Sequence, residues 1–160
     1  MSKQKLVYRI PGAVWSLEFP PNAVALLTSK AQRRWWSKER VGQLYSADLT
    51  GSAAEVSVVT TLTSKSSSYT SVRLDMPEVE EERTKQFEKG LHCLGFWHTH
   101  PEPVPEPSPA DIAMAADHAR AAKEVFAGIV FIIVGTARPP DGIGVWVHDG
   151  TTLWRALPDA

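Results

Sequence analysis

The sequence is 160 residues long, with 43% apolar and 22% charged side chains, and this predicts one globular domain spanning residues 1–160. Its 17 Lys and Arg against 18 Asp and Glu give a net charge of −1, which excludes binding to nucleic acid or anionic membrane by bulk charge. The single cysteine, Cys93, excludes an internal disulfide framework, a Cys-rich zinc finger and a CxxC redox centre. It fits a reducing compartment, and it means that any metal must be held by histidines and carboxylates.

The first ten residues are basic but lack an apolar core behind the charges, so they do not read as a secretory signal. The longest apolar run, 125–134, is too short to span a bilayer. The protein is read as cytoplasmic, with no membrane and no nucleic-acid partner.

Weak alternation over 14–19 predicts a strand, stopped by Pro20-Pro21-Asn22. Pro21 suits the first turn of a helix that Val24, Leu27 and Ala31 carry to about residue 36. Lys30, Arg33, Arg34 and Lys38 read as cations suited to the dipole at its C-terminus, with a binding patch as the alternative. Residues 40–46 and 55–63 read as strands around a turn at 48–51. A Ser-rich surface loop follows at 64–71, then an acidic helix over 77–89 whose Glu80-Glu81-Glu82 run is read as solvated. A strand over 91–100 leads into a loop, 101–109, that holds five prolines, and Ser108 N-caps a helix running to about 124. Strands at 127–135, 144–148 and 152–156, with turns at Gly142 and Gly150, complete an α/β fold: a mixed, mostly antiparallel sheet flanked by helices. Residues 1–75 carry 10 basic and 5 acidic side chains, and residues 76–160 carry 7 and 13.

The chemistry concentrates between residues 98 and 111. Residues i and i+2 of a strand face one side, so His98 and His100 point together, with Leu94 and Phe96 continuing that face inward. Two imidazoles aimed at one point begin a zinc site. The prolines stiffen the loop that returns Asp111, at the start of a helix, as a third ligand. Two His and one carboxylate leave the fourth tetrahedral position open, as catalysis requires. Ser108-Pro-Ala-Asp111 is equally a capping box that would suit any helix, and the two readings are compatible. Cys93, alternating with the ligand face, reads as core. His118 reads as a surface or core residue, with a supporting role behind the ligands as the alternative. Trp97, Trp146 and Trp154 read as core, and Trp35-Trp36 as a partner contact.

His-x-His-x7-Ser-x-x-Asp resembles the signature of the JAB/MPN (JAMM) metalloprotease family. In that family the histidines and aspartate bind zinc, an upstream glutamate activates the metal-bound water, and the serine stabilises the tetrahedral intermediate. Glu39-Arg-Val-Gly-Gln-Leu is similar to the family's Glu-x-Gly-Gly-x-Leu, with Val41 in place of the first glycine. The resemblance implies one zinc ion on His98, His100 and Asp111, with Glu39 as base, Ser108 as oxyanion partner and no covalent acyl-enzyme. The chain looks most like small stand-alone bacterial JAB proteins found beside E1- and E2-like enzymes in antiviral operons, of the bacterial ubiquitin-like or CBASS type. This implies a deubiquitinase-like isopeptidase that cuts after the C-terminal tail of a ubiquitin-like or similarly conjugated protein. A RadC-like protein acting in DNA repair and a non-catalytic MPN scaffold are the alternatives. A zinc deaminase is discarded, since it needs His-x-Glu and Cys-x-x-Cys.

Overall fold

The computed structural model describes residues 4–34, 36–63, 74–124 and 127–160. In chain order the elements are β1 (Leu6–Arg9), β2 (Ser16–Phe19), α1 (Pro21–Ser29), β3 (Val41–Ser46), β4 (Ala53–Glu55), β5 (Val58–Val59), α2 (Met76–Glu88), β6 (His92–Thr99), α3 (Pro109–Ala121), β7 (Ile129–Val134), β8 (Ile143–His148) and β9 (Leu153–Pro158). Among the described residues the nine strands form one sheet in the order β4-β2-β1-β9-β8-β7-β6-β3-β5. β2/β4 and β6/β7 run parallel and the remaining pairs antiparallel, as expected of a mixed α/β fold. Among the described residues no helix is long and apolar enough to cross a membrane.

The parallel β6/β7 pair positions the site. Parallel neighbours need a crossover, and α3 supplies it. The carboxyl end of β6 therefore lies at the same end of the sheet as the amino end of α3. The central strands are buried on both faces, so β7 reads Ile-Val-Phe-Ile-Ile-Val without alternation. One face packs Leu17, Phe19, Leu27, Leu44, Trp97 and Ile132 beneath α1. The other packs Phe96, Phe131, Ile133 and Trp146 against Ala115 and Ala119 of α3.

Leu94 does not share the face of Phe96 and the histidines. The β3/β6 register shifts between Leu44 and Tyr45, where Leu44 opposes Gly95 but Tyr45 opposes Cys93. Gly95 has φ +154° and its backbone lies against Val130, leaving no room for a Cβ. This bulge sends Leu94 into the core on the α1 side with Trp97. It also turns Cys93 onto the ligand face, where its thiol donates to Gln43 Oε1 at 3.6 Å and Gly95 O at 3.4 Å, and burial pushes the thiol pKa up.

Other expectations shift as well. The first helix stops at Ser29 with Lys30 as its C-cap, so Arg33, Arg34 and Lys38 lie beyond it. Of the 55–63 segment only Glu55, the last residue of β4, and the two residues of β5 are strand. The 64–71 loop and Trp35 fall outside the described residues. Glu82 is no solvated charge: it accepts from Gln43 Nε2 (3.0 Å), Tyr45 Oη (2.8 Å) and Thr60 Oγ1, holding α2 against β3. Trp97 and Trp146 are core, but Trp154 is 47% exposed. β1, which the sequence reading did not assign, pairs with both β2 and β9, and Tyr8 Oη donates to Ile143 O at 2.8 Å.

Candidate metal centre

Three short segments converge at the carboxyl end of β6. His98 and His100 arrive by strand alternation and place their Nε2 atoms 3.0 Å apart. Asp111 arrives on the first turn of α3, its Oδ1 3.3 Å from His98 Nε2 and its Oδ2 3.2 Å from His100 Nε2. Glu39 arrives from the extended segment before β3, its Oε1 3.8 Å from His98 Nε2. His98 and Glu39 are 1% and 6% exposed.

Each arrival has a local cause. Ser108 is an N-cap whose Oγ accepts from Asp111 N (3.1 Å) while Asp111 Oδ2 accepts from Ser108 N (2.8 Å). The capping box is thus present, and it fixes Asp111 rather than competing with it. The Ser108 hydroxyl proton has no acceptor among the described residues, which leaves it available to donate. Ser108→Ala should cost about 1 kcal/mol through the lost cap. A chemical-denaturation midpoint measures this, and a loss of metal affinity should accompany it as Asp111 loosens.

The Glu39 segment is tied down by Thr99, the residue between the histidines. Its N–H donates to Arg40 O (3.0 Å), its Oγ1 accepts from Arg40 N (2.9 Å), and its hydroxyl donates to Gln32 Oε1 (2.7 Å). Gln32 Nε2 in turn donates to Ser37 O at 3.2 Å. With the backbone extended, Lys38 and Arg40 face solvent and Glu39 turns inward.

The electrostatics follow from burial and crowding. Burial pushes the Glu39 carboxyl up to about 7, aided by Asp111 and opposed by His100. For Asp111, burial acts upward, but hydrogen bonds from His100 and His98, the His98 charge and the Ser108 N–H outweigh it and hold the carboxyl far below its usual range. Burial lowers His98. Burial also works to lower His100, but Asp111, Glu102 and Glu39 overcome it and raise that imidazole.

Two three-residue sets share the histidine pair. Glu39, His98 and His100 offer one atom each within 4.8 Å of one another. Asp111, however, lies closer than Glu39 to His98 and also touches His100. The two Asp111 oxygens straddle the histidine pair, Oδ1 at 3.3 Å from His98 and Oδ2 at 3.2 Å from His100, and each separation is near the roughly 3.3 Å between donors of tetrahedral zinc with bonds of about 2.0–2.1 Å. Two imidazole nitrogens and a carboxylate are also zinc's preferred chemistry, so the donor set fits that ion.

Phe131 was not signalled by the sequence. It lies under the site with its ring stacked on His98, centroids 5.1 Å apart and planes inclined by 29°. His118 packs on Phe96 at 5.1 Å and stays out of the cluster. His148 Nδ1 accepts from Gly150 N, and His92 packs edge-on to Phe87. Glu106 pairs with Arg155, and Glu102 approaches His100 Nδ1 at 3.7 Å.

Solved structures with the same fold include protein DSY2949 from Desulfitobacterium hafniense, with TM-score 0.65, 18% identity, and 86% of this chain and 87% of that one covered. A protein from Salinibacter ruber aligns with TM-score 0.56 and 17% identity, over 86% of each chain. At these identities the likeness is one of fold. No curated protein sequence matches the chain. A family model does match, over residues 21–149, and this span contains β3, β6, α3 and every member of the cluster. The chain belongs to the prokaryotic homologs of the JAB domain.

Proposed function

We propose that this protein is a zinc-dependent isopeptidase or peptidase that cuts after the C-terminal tail of a ubiquitin-like or similarly conjugated protein. The observation that carries the reading is the convergence of His98, His100 and Asp111 at 3.0–3.3 Å with a second, buried carboxylate beside them. His98, His100 and Asp111 hold the ion. When bound, zinc polarises a scissile carbonyl and makes hydroxide available near neutral pH.

The chain's own groups supply the rest. Glu39 Oε1 takes the proton of the attacking water and returns it to the leaving amine, an effect of roughly 10²–10⁴-fold. Its burial beside the imidazoles supports this role, because it holds the carboxylate at the metal position and out of bulk water. The Ser108 hydroxyl donates to the developing oxyanion. Cys93 is half-buried and its thiol pKa is pushed up by desolvation, in keeping with a mechanism that forms no acyl-enzyme. The substrate tail lies extended along the metal-bearing end of the sheet. The resemblance to stand-alone bacterial JAB proteins supports a cytoplasmic setting beside E1- and E2-like enzymes, with deconjugation or precursor maturation in antiviral defence as the role.

The test is metal analysis of the purified protein with cleavage of a tail–reporter fusion. Bound zinc near one equivalent is expected, and cleavage should stop with chelator and return on adding zinc. Cleavage unaffected by chelator would sink the metal mechanism.

A further inference from the structure

We infer that the concave surface formed by residues 29–34 and 36–40 docks an acidic stretch of polypeptide. A cavity of about 630 Å³ is lined by Lys30, Arg33, Arg34, Trp36, Lys38 and Arg40. Between residues 30 and 40 there are five cations and one acid, Glu39, for a local charge of +4. The whole chain carries −1, so the remainder carries −1 − 4 = −5.

Helix-dipole compensation does not account for this cluster. α1 ends at Ser29, and the dipole's influence fades within the last turn, so Arg33, Arg34, Lys38 and Arg40 lie outside its reach. Nor does ion pairing, because none of the five cations meets a carboxylate in a salt bridge among the described residues. Five like charges gathered in one short span repel one another, and an anion in the cavity would relieve this.

The cavity is also organised. Arg33 Nη1 donates to Thr136 O at 3.1 Å, pinning the segment to the loop after β7. Arg34 stacks its guanidinium over Trp36 at 5.2 Å, and Trp36 is 58% exposed. A planar guanidinium held on an aromatic ring is set for bidentate contact with a carboxylate. Lys38 and Arg40 flank Glu39 in the chain, their side chains turned to solvent while that of Glu39 turns inward.

Charge complementarity favours a peptide over a nucleic acid. The cations occupy one compact span, and a strand of phosphates running past it would meet a surface whose net charge is −5. That the peptide belongs to the substrate rests on the isopeptidase reading; the binding itself does not.

The experiment uses the full chain with chelator present, so that no turnover intervenes. Fluorescence anisotropy follows a fluorescein-labelled hexaglutamate peptide, a hexaglutamine peptide and a single-stranded oligonucleotide of the same charge as the first. Hexaglutamate should bind and weaken as salt rises, and hexaglutamine should not bind. Arg34→Glu with Lys38→Glu should weaken hexaglutamate binding by about tenfold or more, and Arg34→Gln with Lys38→Gln by less. Unchanged melting and zinc uptake would show that both variants fold. Equal hexaglutamate binding by wild type and both variants, equal binding of hexaglutamine, or tighter binding of the oligonucleotide would each overturn the inference. A protein that takes up no zinc but still binds hexaglutamate at this surface would overturn the isopeptidase reading alone.

Discussion

Replacing Glu39 by Gln should lower turnover by roughly 10²–10⁴-fold while zinc remains bound. The substitution keeps size and hydrogen-bonding reach but removes the proton acceptor. Zinc retention is the discriminating half. If Glu39 were a ligand in place of Asp111, the variant would lose its metal. The distances predict retention, because Glu39 lies 3.8 Å from His98 Nε2 while Asp111 touches both imidazoles at 3.2–3.3 Å. Metal content with single-turnover rates on a cleavable tail fusion checks both halves together. Full turnover in the variant would remove Glu39 from the mechanism, and lost zinc would reassign it as a ligand.

The same variant should be the more stable fold without metal, and the sign follows from burial. Glu39 is raised from 4.5 to about 7 in the folded protein. The unfolded chain therefore releases this proton first, and wild-type stability falls as pH rises from about 4.5 to about 7. The neutral amide of the Glu39→Gln variant has no proton to lose. The gap between the two proteins should widen across that window and stay level above it, as measured by denaturation in chelator. A gap independent of pH would mean that Glu39 is not buried as the structure has it.

The α/β plan and the convergence of His98, His100 and Asp111 were legible because they rest on short-range patterns, whereas Glu39 was reached only through the family resemblance. Strand alternation aligned His98 with His100, and the Ser108 box announced both α3 and the place of Asp111. What escaped the sequence depends on contacts far along the chain. The Gly95 bulge, which moves Leu94 and Cys93 to opposite faces from those expected, arises where β6 meets the backbone of Val130. β1 is held between β2 and β9, the latter some 150 residues away. Glu82 sits in a run of three glutamates that composition reads as solvated, and only the docking of α2 on β3 selects it as a half-buried acceptor. Gln32 likewise gains its role from Thr99, 67 residues later.

Phe131→Ala tests the least legible of these contacts. The ring is fully buried, stacked on His98 and within 5.2 Å of the Phe96 ring and 6.2 Å of the Trp146 ring. Truncation should cost about 3–5 kcal/mol of stability, from lost transfer energy and the cavity left under the sheet. It should also weaken zinc binding, by about 10–100-fold, the range for residues that orient metal ligands. Histidine ligands commonly keep their orientation through a hydrogen bond from the second ring nitrogen, but His98 Nδ1 is buried without a partner among the described residues. Packing against Phe131 is what remains to hold that imidazole. Phe131→Leu separates the two effects: it fills most of the volume, so stability should fall by less than about 1.5 kcal/mol, while the stacking is still lost. Stability measured in chelator keeps metal linkage out of the first number, and competition with a zinc chelator gives the second. Wild-type zinc affinity in both variants would show that His98 is oriented by its strand alone.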